Sequence, residues 1–164
     1  MEKKRFVVRM GDIFCIEVDG LYKQYMQYVT KDTSQLYSKV VRVFKKKYPI
    51  DEDVDMDEIA SGEVLFYAHV YGIRYGVLDG LCYKCGKSKI FGDTENIMFR
   101  CDSEGDISNM TVSHRWYVWK INHEYVHIGD LVPPYDKYDT GSVYPIQWVI
   151  EKVKTGKYPC KELR

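Results

Sequence analysis

The sequence predicts an α+β fold, in which a strongly bent, mostly antiparallel β-sheet carries a C-terminal helix packed on it. The first half of the chain is rich in β-branched and aromatic residues, which favour strands because they pack well on a pleated surface. Glycine and proline divide that half into short segments. Only near the C-terminus do apolar residues follow the spacing of a convincing amphipathic helix.

The opening segment predicts a β-hairpin. Residues 12–18 alternate apolar and polar side chains at their ends, and Asp19-Gly20 is a strong tight-turn pair. Residues 21–29 then return with enough aromatic content to form the second arm of the hairpin.

The next segment, residues 36–48, fits two patterns. Leu36, Val40 and Val43 recur at helical spacing, yet the run from Val40 to Phe44 is β-branched and short. We predict a strand, because no residue caps a helix convincingly and Pro49 ends the segment.

The middle of the chain contains the sharpest change in composition. Residues 51–58 hold six carboxylates, and residues 56–60 predict one helical turn that Gly62 ends. Residues 64–71 and 97–101 predict strands. The glycine-rich segments between these strands predict loops.

The C-terminal helix is predicted from its periodicity and its two ends. Pro145 suits the first helical position, since its missing N–H would be unpaired there, and Gly156 offers a left-handed stop. One apolar stripe lies between them: Ile146, Val149, Ile150 and Val153.

A small set of apolar residues is expected in the core. Four of them come from the opening strand, the late aromatic strand and the last helix: Phe14, Ile16, Trp119 and Ile150. Strand alternation places Trp116 and Trp119 on opposite faces of one strand, and we expect two of the three tryptophans to be core residues.

The sequence His123-Glu124-Tyr125-Val126-His127 matches H-E-x-x-H, the signature of zinc hydrolases. That chemistry requires a helix, where two histidines four residues apart bind one zinc ion and the glutamate acts as general base. The aromatic and β-branched residues 115–121 precede the motif, and Gly129 and the prolines after it stop any helix. We therefore predict a β-hairpin turning near residues 122–124, with neither a catalytic nor a metal-binding residue.

Cys82 and Cys85 form a C-x-x-C pair, which occurs in zinc knuckles and in redox sites. A structural zinc would need two further ligands, and only Cys101 and His114 are available, on separate elements. A redox site would need the pair at a helix N-terminus. We predict free cysteines on a turn between strands.

The acidic run resembles a calcium loop in its alternation, but it departs from that pattern at two essential positions. Met56 stands where the loop needs glycine, and Gly62 stands where it needs a bidentate glutamate. The run is a solvated surface or a site that steers a basic partner. Its candidate partner-binding residues are Asp51, Glu52, Asp53, Asp55, Asp57 and Glu58.

Composition limits the classes of function. A chain of 164 residues fits a single domain, residues 1–164, and no apolar run approaches the length that spans a bilayer. The formal net charge is zero, so the chain has no overall electrostatic case for nucleic acid. Five cysteines, an odd number, predict a cytoplasmic protein with free thiols. The charged start has no apolar core, because Arg9 and Asp12 interrupt it, which predicts no ordinary signal peptide.

Several short stretches resemble immunity protein family 26, which occurs in bacterial polymorphic toxin loci. They are residues 10–16, Trp116-Tyr117-Val118-Trp119, His127-Ile128-Gly129, Tyr144-Pro145 and residues 154–158. A Gly-Asp-Ile-Phe opening strand, a late tryptophan-rich strand and a final helix closing in Gly-x-Tyr follow one another in the family's order. These motifs are short and structural, and residues 31–92 are less similar.

The resemblance implies a cytosolic protein that neutralises a cognate toxin by binding it, without catalysis or a cofactor. It specifies no binding residues. The competing hypothesis is a zinc-dependent hydrolase that uses His123, Glu124 and His127. An unrelated small β domain remains a third possibility.

Overall fold

A computed structural model describes residues 6–164 of the chain. The predicted absence of a signal peptide rests partly on residues 1–5, which lie outside the described residues. The described elements are, in chain order, β1 (Asp12–Val18), β2 (Tyr22–Lys31), β3 (Lys39–Phe44), α1 (Met56–Ala60), β4 (Val64–Tyr71), α2 (Ile73–Leu78), β5 (Tyr83–Lys87), β6 (Met98–Asp102), β7 (Trp116–Lys120), β8 (Val126–Gly129), a 3₁₀ turn (Tyr135–Lys137), β9 (Asp139–Thr140), β10 (Val143–Pro145) and α3 (Ile146–Thr155).

The strands form two sheets. One has six strands in the order β10-β4-β3-β2-β1-β5, and the other has four in the order β8-β7-β6-β9. All neighbours are antiparallel except β10 with β4 and β6 with β9. This confirms the predicted α+β class, mostly antiparallel with a C-terminal helix packed on a sheet. The predicted strands divide between two sheets, because β6 and β7 pair with each other and with β9 and β8, and with no strand of the six-stranded sheet.

The turn residues between β1 and β2 determine the geometry of the first hairpin. Asp19 and Gly20 both adopt positive φ, as the tight turns that match strand twist require. The β1–β2 pairing that follows runs from Val18 opposite Tyr22 to Ile13 opposite Gln27. Residues 36–48, which fitted two patterns in the sequence, contain strand β3. The predicted hairpin and the predicted strand are both confirmed.

Helix α3 docks through its apolar stripe. Ile146, Val149, Ile150 and Val153 are buried in one cluster with strands β1 to β4. Gly156 ends the helix in the left-handed conformation, as predicted. The helix begins one residue later than predicted, because Pro145 is the last residue of β10, pairs with β4, and serves as the helix N-cap.

The sequence did not predict α2, β5, the 3₁₀ turn or the short strands β9 and β10. Residues 73–78 form helix α2 and residues 83–87 form strand β5, where the sequence predicted loops and a turn. Gly76 allows α2 to lie close to α3, because a Cβ atom there would lie 2.9 Å from Cγ1 of Ile146. Close packing of α2 against α3 thus outweighs the poor helix propensity of glycine.

A buried polar cluster joins the two sheets. The Asp32 carboxylate, at the end of β2, accepts hydrogen bonds of 3.0 Å from Nε2 of His69 on β4 and from Nε1 of Trp119 on β7. The predicted core residues Phe14, Ile16, Trp119 and Ile150 are buried, as is Trp116. Both expectations for the core are confirmed.

None of the described helices is long and apolar enough to cross a bilayer.

Candidate protein-binding site

The acidic segment, residues 51–58, connects β3 to α1 and places its six carboxylates on the surface. Three of them hold the local structure together. Asp55 caps α1 by accepting from the backbone N–H groups of Asp57 and Glu58. Asp57 accepts a 2.6 Å hydrogen bond from the Ser88 hydroxyl, and Glu58 lies 3.2 Å from the Lys46 ammonium.

The other three carboxylates of this segment are available to a partner. Asp51, Glu52 and Asp53 are exposed, and their side chains make no hydrogen bond or ion pair within residues 6–164. The segment is not uniformly negative, however, because Lys46 lies against it. Of the six predicted partner-binding residues, three therefore have side chains without a hydrogen bond or ion pair in the described part of the chain.

The H-E-x-x-H residues lie on the β7–β8 hairpin and not on a helix. His123 and Glu124 are in the turn and His127 is on β8, paired with Tyr117 of β7. Nδ1 of His123 hydrogen-bonds the carbonyl of Ile121 at 2.8 Å. The two imidazoles thus lack the helical spacing that the zinc site needs. Over residues 6–164, no three His, Cys, Asp or Glu side chains are grouped to hold a metal ion.

Cys82 immediately precedes strand β5 and Cys85 lies within it. The prediction that these cysteines lie on a turn is therefore wrong. β5 pairs with β1 along the edge of the larger sheet, and Cys82, immediately before the strand, is buried in the core. Burial raises the pKa of the Cys82 thiol to about 12 and that of the Cys85 thiol to about 11. Thiols held in the neutral form are poor nucleophiles and poor metal ligands.

A groove that no sequence motif indicated lies at the end of β3 opposite the acidic segment. It has a volume of about 590 Å³, within the range of ligand-binding clefts. Three cations and three tyrosines line it: Lys31, Lys39, Arg74, Tyr37, Tyr71 and Tyr75. Among residues 6–164, no Asp, Glu, His or Cys side chain lines the groove. We call these six residues the tyrosine–lysine groove, although one of the cations is an arginine.

The pairing of β2, β3 and β4 and the connection from β4 to α2 bring these residues together. Lys31 and Lys39 face each other where β2 and β3 pair, and Lys39 in turn pairs with Val70 on β4. Tyr71 ends β4, and α2 follows at once with Arg74 and Tyr75. The groove lies where β3 begins, and the acidic segment follows where β3 ends, roughly 17 Å away along the strand.

Tyr37 occupies the rim of the groove in an unusual conformation. Its φ is +44°, a region that bulky side chains rarely adopt, and its side chain is 72% exposed. Tyr71 and Tyr75 are also exposed, at 58% and 61%. Strained backbone of this kind persists only where the surrounding structure fixes it, and it concentrates at binding sites.

The surrounding structure fixes the rim loop, residues 32–38, from both sides. Oδ1 of the buried Asp32 accepts from the backbone N–H groups of Ser34 and Gln35 at 3.2 Å each. The side chains of Ser34 and Gln35 both donate to the carbonyl of His123, at 2.7 and 3.2 Å. Tyr37 is therefore presented by a preorganised loop, which lowers the entropy lost when a partner binds.

Comparisons with protein-family models, with curated proteins and with solved structures found no match to this chain.

Proposed function

We propose that this protein is a non-catalytic binding protein of the bacterial cytoplasm, which neutralises a cognate toxin by direct contact. The observation that carries the proposal is the exposed tyrosine at position 37, held with positive φ on a loop that a buried carboxylate anchors. Tyrosine and arginine are enriched at the centres of protein interfaces, where large and stiff side chains bind with little loss of entropy.

The chemistry of the groove also supports binding without catalysis. General acid–base catalysis most often uses histidine or a carboxylate, and nucleophilic catalysis requires an activated side chain. Beside its apolar residues, the groove lining offers tyrosines, lysines, an arginine and one serine, and no carboxylate or histidine within residues 6–164 lines it to activate them. The hydrolase hypothesis gains no support from the hairpin that carries His123 and His127.

The toxin as partner comes from the resemblance to immunity protein family 26. Such a protein must associate quickly, because a free toxin molecule damages the cell, and complementary charge speeds association. We propose that Asp51, Glu52 and Asp53 attract a basic surface of the toxin. Their exposure and lack of partners in the described chain leave their charge available for this purpose.

Co-expression with each toxin domain encoded by a neighbouring gene tests the proposal. We expect the protein to restore growth in the presence of one such toxin and to bind it in a one-to-one complex by calorimetry. The Tyr37→Ala variant should bind more weakly, whereas Tyr83→Ala, which removes an exposed tyrosine from β5, should bind as the wild type does. Failure of every neighbouring toxin to bind would contradict the proposal.

A further inference from the structure

We infer that the tyrosine–lysine groove binds an acidic, extended segment of a partner protein. The inference rests on the proposed function only in naming the toxin as the protein that bears this segment. Electrostatic complementarity is the first argument, since Lys31, Lys39 and Arg74 line the groove and no carboxylate of the described part of the chain does. Asp32, adjacent to Lys31 in the chain, is turned into the core and bonded there to His69 and Trp119.

The three cations are accessible to a ligand, although the Lys39 ammonium also lies 5.8 Å from the centre of the Tyr28 ring. Lys31, Lys39 and Arg74 are exposed, and none of them forms an ion pair within residues 6–164. By contrast, Lys45 and Lys46 at the other end of β3 pair with Glu63 and Glu58. No carboxylate of the described residues thus compensates the positive charge at the groove, in a chain whose formal net charge is zero.

The tyrosines indicate a peptide and not a small molecule. A small-molecule site buries most of its ligand in a cavity. Here Tyr37, Tyr71 and Tyr75 stand around an open groove, more than half exposed. Aromatic side chains arranged in this way suit an extended chain, whose own apolar residues pack between the rings while its carboxylates meet the cations.

Nucleic acid is the less favourable occupant. Its affinity depends on neutralising many consecutive phosphates over a long basic surface. The groove supplies three cations, and the acidic segment with Asp51, Glu52 and Asp53 lies at the far end of the same strand. A polyanion that continues beyond the groove would meet repulsion, whereas a short acidic segment would not.

Selection from a random peptide library tests the inference directly. Peptides of about twelve residues, long enough to cross the groove when extended, are panned on the wild-type protein. Binders that also recognise the Lys39→Glu, Arg74→Glu double variant are removed. Enriched peptides should be rich in Asp and Glu with at least one aromatic residue. Recovery of neutral or basic peptides, or of none, would overturn the inference.

The selected peptide is then measured by fluorescence anisotropy. Its affinity should fall about tenfold or more in the Lys39→Glu, Arg74→Glu variant, because two attractive contacts become repulsive. The matched variant Lys89→Glu, Lys157→Glu changes the net charge equally at exposed positions away from the groove and should bind normally. A glutamine-substituted peptide that binds equally well, or tighter binding of oligo-dT to the groove, would contradict the inference.

The two proposals can fail separately. If acidic peptides bind the groove but no neighbouring toxin binds the protein, the groove is a peptide site and the toxin function is wrong. If a toxin binds both the wild type and the Lys39→Glu, Arg74→Glu variant with the same affinity, the protein neutralises a toxin but the groove does not bind it.

Discussion

Nε1 of Trp119 donates a 3.0 Å hydrogen bond to the carboxylate of Asp32, 87 positions earlier in the chain, and both groups are buried. The same carboxylate oxygen accepts from Nε2 of His69. Burial alone would raise the pKa of Asp32, but the hydrogen bonds from His69, Trp119 and the rim loop lower it below its ordinary value. One ionised side chain thus connects both sheets to the loop that presents Tyr37.

We expect Asp32→Ala to lower the free energy of unfolding by about 3 kcal/mol or more, because it leaves two buried donors without an acceptor. Urea denaturation monitored by tryptophan fluorescence measures this change. Asp79→Ala, which removes an exposed carboxylate, should change stability by less than about 0.5 kcal/mol. Equal stability of the two variants would show that the buried cluster is not important for the fold.

Stability should also depend on the protonation of His69. Burial lowers the pKa of this histidine below 6.5, although its hydrogen bond to Asp32 acts in the opposite direction, and Nδ1 has no partner in residues 6–164. The unfolded chain therefore binds the proton more readily than the folded chain. The contribution of neutral His69 is complete above pH 6.5 and is lost as the pH falls from 6.5 toward the folded pKa.

Denaturation curves across this pH range check the prediction. The His69→Gln variant should be less stable at neutral pH but should lose this part of the pH dependence. The exposed-site variant His123→Gln should keep it. The contribution of Asp32, whose pKa is also lowered, is lost separately at pH values below about 3.8, so the two effects can be distinguished.

Tyr37→Asn should weaken binding without destabilising the protein. Asparagine tolerates positive φ better than tyrosine does, and little packing is lost because Tyr37 is mostly exposed. We expect the free energy of unfolding to stay constant or rise by up to about 1 kcal/mol, while affinity for the selected peptide falls. Tyr75→Asn, in helix α2, should also weaken binding but should not gain stability.

Neutralising the free part of the acidic segment should slow association with a toxin. In the variant Asp51→Asn, Glu52→Gln, Asp53→Asn, we expect a lower association rate and a weaker dependence of that rate on salt, because screening acts on the missing charges. Stopped-flow mixing measures both. A control that neutralises Asp79, Glu95 and Glu124 changes the net charge equally and should retain the wild-type rate. Identical behaviour of both variants would make the segment an ordinary solvated surface.

Replacing His123 and His127 by alanine together should leave the metal content unchanged and reduce stability by less than about 1 kcal/mol, because both side chains are exposed. Elemental analysis of the purified proteins and thermal denaturation measure these quantities. Loss of bound zinc or of a hydrolytic activity in the double variant would restore the hydrolase hypothesis.

Local sequence features predicted most of the fold. Asp19-Gly20 predicted the first turn, the breakers after His127 predicted the late hairpin, and the spacing of Ile146 to Val153 predicted α3. These features act through neighbouring residues, so a single sequence contains them. Helix α2 was missed because glycine disfavours helices, and the close packing of Gly76 against Ile146 joins residues 70 positions apart in the chain.

The groove was missed for the same physical reason. Lys31, Lys39 and Arg74 belong to no motif, and they meet only because β2, β3 and β4 pair in one particular register. The acidic run was visible in the sequence because its charges are consecutive. Its division into structural and free carboxylates required the positions of Ser88 and Lys46.

The hydrogen bonds from Ser34 and Gln35 use the carbonyl oxygen of His123 and not its imidazole. Any residue that permits the same backbone path can supply that oxygen. The fold therefore constrains the length of the β7–β8 turn more tightly than it constrains which side chain stands at position 123. An inserted residue would displace this acceptor and leave the rim loop held by fewer hydrogen bonds, whereas replacement of the histidine by another residue would keep the acceptor in place.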